Sequence, residues 1–578
     1  MYLVKIIKLA LVSGAIFIGV HAFAQDDNNK AVVMGNFQLD GQYYLEDSAI
    51  SAVVPEETMA LSGFGNILYR KGKFTAGMRF ETYLPAPVGY PAGASWSGTG
   101  IGYRFAQYSD DLFDITVGNF YEQFGNGMIM RTWEDRGLGV DYMLDGVRLK
   151  VRPSDWSEIT AIYGKQRFNF DNGTQFVSDD LGQGIVRGIN ADFDLNSLLD
   201  SIVALPGQLS IGGSFVSKFQ NNNSARYDFP ENVGAGSARL KYNIGGFQFS
   251  GEYTWIGENP SAQNAQIVNI PDSLDPSVGL WATGKGVNLN GTYSTRGFGV
   301  SITASSLSNM AFQSQREAGA FDSWINYLPP TSVLQTYLLS QLYPYATQPN
   351  GEVAYRGDLF YNFKRNTTLG GRYGMKLELS YTQVNSPNIA ELNDLGTSRN
   401  GAKIDLFDPG DEIYFSDFNA KLTKKFSKKF KGILFYQNIV YNNDVILGAY
   451  DYDNVPTKGT VYSDLFVFEG NVKINKKNNI RFEAQALFTN QHLQDWVAGL
   501  VEYTVSPHWF FTVIDQWNYG NGDGDDFHFP SVSWGYIKNS SRISVTYGRQ
   551  RAGVFCVGGI CRVVPASNGL SISITSSF

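Results

Sequence analysis

From Val32 to Phe578 the chain alternates apolar and polar positions in runs of roughly ten residues, broken by polar, glycine- or proline-containing connections. In Phe247–Trp255 one face carries Phe247, Phe249, Gly251, Tyr253 and Trp255, and the other Gln248, Ser250, Glu252 and Thr254. Leu377, Leu379 and Tyr381 oppose Lys376, Glu378, Ser380 and Thr382 in the same way. Ile480, Phe482, Ala484, Ala486 and Phe488 oppose Arg481, Glu483 and Gln485. The chain ends on Leu570, Ile572, Ile574 and Phe578 against Ser571, Ser573, Thr575 and Ser577. A period of two is the signature of a β-strand with unlike faces.

Alternation alone does not separate a soluble sandwich from a membrane barrel. The connections do. Short turns fall at Lys71–Lys73, Ser109–Asp111, Pro153–Trp156, Ile244–Gly246, Thr295–Gly297, Ser427–Lys429, Asn475–Asn479, Ser506–Pro507 and Lys538–Ser541, with longer equivalents at Leu195–Gly207 and Arg365–Tyr373. Between them lie longer loops such as Pro85–Ser97, Gly257–Thr283, Met310–Gly351 and Asn385–Asp411. This series predicts a single all-β domain, one large antiparallel transmembrane β-barrel of about 24 strands (22–26), with both termini on the short-turn side. Two segments break the alternation. Thr331–Leu342 places Leu334, Tyr337, Leu338 and Leu342 at helical spacing, which predicts a short helix in the loop at about 310–350. Leu195–Leu205 predicts a helical turn at the other end.

The termini and composition fit this picture. Lys5 and Lys8, the apolar run Leu9–Val20 and Ala22-Phe23-Ala24 read as a secretory signal over residues 1–24, leaving 25–578 as the barrel. Gln25, not a cysteine, stands immediately after the cleavage point, which argues against a lipoprotein. The mature chain has no apolar run of about 18 residues, so helical spans are excluded. Charged residues make up 17% and aromatics 14%, with 62 glycines, a balance that suits a lipid-facing band with aromatic girdles. A net charge of −8 gives no footprint for nucleic acid. Cys556 and Cys561 flank Gly558-Gly559, so a hairpin would oppose them and allow a disulfide in an oxidising compartment; two free thiols are the alternative. Three mature histidines, His492, His508 and His528, form no metal set and no recognisable nucleophile–base pattern, so neither a metal, a cofactor nor an enzymatic role is expected. The segment Asn521–Asp526 has calcium-loop oxygens without the closing glutamate and reads as an outer turn.

Charges on lumen-facing strand positions are the candidate chemistry. Arg79 and Glu81, Arg148 and Lys150, Lys165 and Arg167, Lys376 and Glu378, and Arg481 and Glu483 should point inward, because a lipid-facing charge near the midplane costs about 2–4 kcal/mol. They would either select solutes or form a stiffening lattice of ion pairs. Glu122, Arg131, Glu134, Asp135, Arg136 and Asp141, followed by Arg148, form the densest opposed cluster and are the candidate constriction; a solvated outer loop is the plainer reading.

The segments Gly118–Gly127, Arg131–Arg136, Asp145–Arg148, Gly548–Arg551, Cys556–Arg562, Val564–Gly569 and Thr575–Phe578 resemble a family of uncharacterised Bacteroidota outer-membrane barrels, known as a domain of unknown function. The resemblance implies an outer-membrane barrel in contact with lipid but no activity. Phe578 resembles the terminal signal read by barrel-assembly machinery. A Gram-negative outer membrane, with periplasmic termini, is the expected location. A barrel of about 16–18 strands already leaves an aqueous channel, so a larger one must fill its lumen. The first strand begins almost directly after the cleavage point, which leaves no room for an N-terminal plug. Inward-folded outer loops are therefore expected, chiefly Met310–Gly351. The functional expectation is a porin-like passage for polar solutes, with a closed barrel serving a secretion or surface-assembly complex as the alternative.

Overall fold

The computed structural model describes residues 30–88, 96–175, 184–199, 205–222, 229–261, 282–319, 322–390, 403–446, 459–521, 527–557 and 560–578. The expected signal sequence, the Gly558-Gly559 turn and residues 522–526 lie outside them.

Twenty-four strands pair antiparallel, each with its neighbour in the chain, and the last, Ser567–Ser577, pairs with the first, Val32–Tyr44. The sheet therefore has no edge. At this seam Leu39 stands across from Ile574, and Gly35 and Phe578 exchange backbone hydrogen bonds of 2.9 and 3.0 Å. Strands begin and end on either side of all eleven expected short connections, and both termini lie at that end.

The period of two sorts side chains as expected. On Phe247–Asn259, Phe247, Phe249, Tyr253 and Trp255 face outward and are exposed, whereas Glu252 and Thr254 are buried inside. Similar outward residues ring the barrel, among them Ile302, Leu434, Val513 and Tyr547. A contiguous apolar surface of this kind is not stable against water; hydrocarbon is the medium it matches, and closure leaves no strand of the ring without a neighbour on either side.

Two expectations need correction. The segment Thr331–Leu342 is not a helix beyond one 3-10 turn at Leu339–Leu342. The Leu339 amide donates to the wall side chain of Gln485 at 3.1 Å, and Ser340 donates to Gln437. Contacts with the barrel thus replace the intrahelical bonds that the spacing suggested. Lys165 does not face the lumen. It shares the parity of exposed Tyr163 and pairs across the strands with Asp145, on the outer face. The short helix at Leu195–Leu199 is present.

The backbone register sets Cys556 opposite Cys561; the side chains of 554–562 lie outside the described set.

Ile302, 64% exposed in the middle of Phe298–Ser308, tests the lipid-facing assignment. Ile302→Lys is expected to cost about 2–4 kcal/mol in denaturant unfolding from vesicles. Thr303→Lys, on the inward parity, should lose only its hydrogen bond with Asn290, about 1 kcal/mol.

Candidate functional site: a lumen filled by two loops

The loops 121–143 and 309–350 turn into the barrel at the end opposite the short turns. In the first, Phe124, Met128, Ile129 and Met130 are fully buried with Met310, Phe312 and Ile325 of the second. They pack on the inner wall at Val186, Val216, Val233, Ala235, Ile256 and Leu307. Farther along the second loop, Tyr337, Leu339, Tyr343 and Tyr345 pack against the opposite flank at Phe435, Ile439, Leu465 and Leu487. The apolar run Met128–Met130 inside a charged segment was the sequence signal for this packing.

Backbone and amide bonds join the two loops into one body. Asn326 Nδ2 donates to the carbonyls of Met128 at 3.0 Å and Met310 at 2.8 Å. The Arg131 amide donates to Ile325, and the Tyr327 amide to Gly127. The wall holds this body by polar groups that sequence reasoning did not single out. The Asn126 amide donates to Glu252 at 2.7 Å, Lys218 Nζ to the Gln313 carbonyl at 2.7 Å, and Ser314 Oγ to Gln166 at 2.8 Å. Gly125, at φ +56, is required here: a Cβ would meet the Arg239 side chain and the Glu252 carboxylate.

Several candidate charges converge on a buried network of three carboxylates and three guanidinium groups. Asp141 accepts from Arg79 at 2.6 Å and from Arg167 at 2.7 Å. Glu81 accepts from Arg79 at 2.6 Å and Arg167 at 2.8 Å. Glu134 accepts from Arg79 at 2.9 Å and Arg136 at 2.8 Å. The hydroxyls of Tyr121 and Tyr83 donate to Asp141 and Glu81. Gly102 leaves the space occupied by the Glu81 carboxylate. Burial alone would raise the Asp141 carboxyl, but the Arg167 and Arg79 guanidinium groups overrule it and hold it below its ordinary value of 3.8. The charges balance, so the network fixes where loop 121–143 docks rather than attracting a solute. Buried ion pairs add little net stability but are costly to break on one side.

The remaining candidates are dispersed. Arg131 stacks over the Tyr327 ring at 3.9 Å, and Asp135 accepts from the Leu138 amide to shape its turn. Arg148 meets Asp114 at 3.3 Å and Glu122 at 3.6 Å. In the half of the lumen nearer the short turns, Lys150 pairs with Glu158, Lys376 with Glu378, and Arg481 with Glu469 and Glu483. His528 Nδ1 lies 2.8 Å from Asp515 and stacks on Trp517, and His508 bonds the Ile537 carbonyl.

Between loop 334–344 and the wall strands Trp509–Asn518, Ser531–Lys538, Ser541–Gln550, Ser567–Ser577 and Val32–Tyr44 lies a cavity of about 380 Å³. Its wall carries hydroxyls and amides (Gln42, Gln516, Ser531, Thr546, Ser567 and Ser571) together with Arg549, Arg551, Ile514 and Val564. A second cavity of about 190 Å³ lies across the same segment, with Asp417 and Gln437 in its lining, and the two share Leu334 and Pro344.

The model for a family of unknown function, DUF6029, matches residues 3–578. No curated protein matches in sequence. Among solved structures, the P pilus usher PapC translocation pore is 8% identical, with 94% of this chain and 99% of that one covered and a TM-score of 0.41. OccAB4 of Acinetobacter baumannii is 10% identical over 80% and 98%, at 0.33. A mutant of the ferric enterobactin receptor PfeA of Pseudomonas aeruginosa is 11% identical over 96% and 81%, at 0.40.

Arg167→Ala strands two buried carboxylates and should cost about 3–5 kcal/mol in denaturant unfolding, whereas Lys376→Ala, in a half-exposed pair, should cost at most about 1 kcal/mol. Because the folded value of Asp141 is depressed, its contribution is present above the unfolded value of 3.8 and is lost as pH falls through the folded one. Hydrogen-exchange protection of residues 122–143 should therefore be held down to about pH 5 and fall only in stronger acid.

Proposed function

The chain belongs to this DUF6029 family of unknown function, and from that starting point we propose that it is an outer-membrane passage for polar solutes, not an enzyme, with its two inward loops forming the constriction. The reading places the short turns and both termini in the periplasm of a Gram-negative bacterium. The observation that carries it is the asymmetry of the plug. Its two flanks meet the wall through apolar cores, and such contacts exclude water. Against the last four strands and the first, the plug instead leaves a cavity whose wall carries hydroxyls, amides and two guanidinium groups beside aliphatic side chains. Solute movement requires water and exchangeable hydrogen bonds, so the route runs along this sector. From there it enters the half of the lumen lined by paired charges, whose balance gives no strong field for one sign of ion.

The closely packed body of loops also suits the second reading, a closed barrel within a secretion or surface-assembly complex, since Met128, Ile129 and Met130 are wholly buried. Planar-bilayer recordings separate the two. A passage gives small, resolved conductance steps, and deletion of residues 331–343, which line both cavities, should raise the conductance several-fold while the protein still shows a heat-dependent gel shift. No conductance from either form would overturn the passage and favour the closed barrel.

A further inference from the structure

The cavity beside the last strands contains two guanidinium groups and, among the described residues, no carboxylate in its lining. They differ in one respect. Arg549 is neutralised by Asp47, which accepts from Nε at 2.6 Å and Nη2 at 3.0 Å. Among the described residues, the half-buried Arg551 donates only to neutral oxygens: Gln516 Oε1 at 3.2 Å and the adjacent Ala552 carbonyl at 3.4 Å. Elsewhere in the lumen, Arg79, Arg136, Arg148, Arg167, Arg239 and Arg356 each meet a carboxylate, and the buried Arg316 of the inward loop is capped by the carbonyls of Gln220, Asn221 and Pro230. An unneutralised cation in a confined site is costly, and that cost is relieved when an anion arrives. Burial draws the Arg551 guanidinium down to about 10, which leaves it charged at neutral pH.

We propose that Arg551 is the anchor of a binding site for a small hydroxylated acid, a carboxylate-bearing sugar-like solute, within this cavity. The inference rests on the passage reading and names its solute class. One unmatched positive charge calls for one negative charge, and a planar guanidinium suits a carboxylate in a two-point contact. A dianionic phosphate would leave a charge over in a site with no second free cation. The polar part of the remaining lining is chemistry for hydroxyl groups, and Ile514 and Val564 offer an apolar face beside it. The amides of Gln42, Gln341, Gln516 and Gln550 and the hydroxyls of Thr546 and Ser571 donate and accept without carrying charge. About 380 Å³ accommodates one sugar-sized ring with some water. The cavity's inner boundary is Leu334, Leu338 and Pro344 of the inward loop, so a bound solute sits against the segment that separates it from the second cavity.

The test is calorimetry on the detergent-solubilised full barrel, with glucuronate, glucose and inorganic phosphate as probes. Glucuronate is expected to bind, glucose to bind at least tenfold more weakly, and phosphate no more tightly than glucose. Arg551→Gln should weaken glucuronate about ten- to hundredfold and leave glucose unchanged, and Arg551→Lys should restore part of the loss. If Arg551→Gln lacks the heat-shifted gel form of the folded barrel, Gln42→Trp fills the same cavity from the first strand and should abolish glucuronate binding. Equal binding of glucuronate and glucose, tighter binding of phosphate, or glucuronate binding insensitive to both variants overturns the proposal. Because calorimetry needs no transport, a barrel that binds glucuronate without conducting would overturn the passage and keep this site. One that conducts without binding glucuronate would do the reverse.

Discussion

Every strand in this protein must find a partner on both sides, because the apolar belt around it excludes the water that would satisfy an open edge. The pairing of Ser567–Ser577 with Val32–Tyr44 meets that requirement, and the remaining architecture follows from it. Closure at 24 strands fixes a circumference, and the circumference encloses more space than wall side chains can fill. Among the described residues, the chain that enters this surplus volume belongs to the connections.

Two of those connections, at one end, do so by different means. The second loop fills space through aromatic and aliphatic packing on the two flanks of the wall. The first loop adds charge to its own apolar packing by Phe124 and Met128–Met130, through Arg79 and Arg167 reaching Asp141 and Glu134 from strand and rim positions. Packing tolerates small slips; a charge-balanced cage does not, since a displaced member leaves its partner buried and unmatched. The paired Lys376–Glu378 and Arg481–Glu483 rows nearer the short turns answer the same demand in wetter surroundings, as a lattice along the wall.

The barrel was legible from sequence because strand parity and turn position are local properties. Phe247, Phe249, Tyr253 and Trp255 announce their face within nine residues, and every expected short connection lies between observed strands. The site was legible only in part. Arg79, Glu81, Glu134, Asp141 and Arg167 were all visible as inward or clustered charges, but nothing local ties Arg79 to Asp141. Lys165 shows the limit of parity near a rim: a lysine two residues from Arg167 faces the outside because the chain leaves the sheet between them and turns inward. The expected helix at 331–342 failed for a related reason. Its spacing was helical, yet wall amides such as Gln485 compete for the backbone groups a helix would use. Lys218, Glu252 and Gln166 were missed because their partners lie on loops distant in the chain.

The amide of Asn326 joins carbonyls that are 198 and 16 positions away from it. Such a clasp has a consequence for biogenesis. Residues 123–130 are made long before their counterparts at 310–327, and the surface on which both rest includes strands made in between. The earlier loop therefore has no finished seat at the time of its own synthesis. Its buried charges must stay hydrated until the cylinder has rolled up, so the interior consolidates last, as a maturation step separable in time from insertion of the wall.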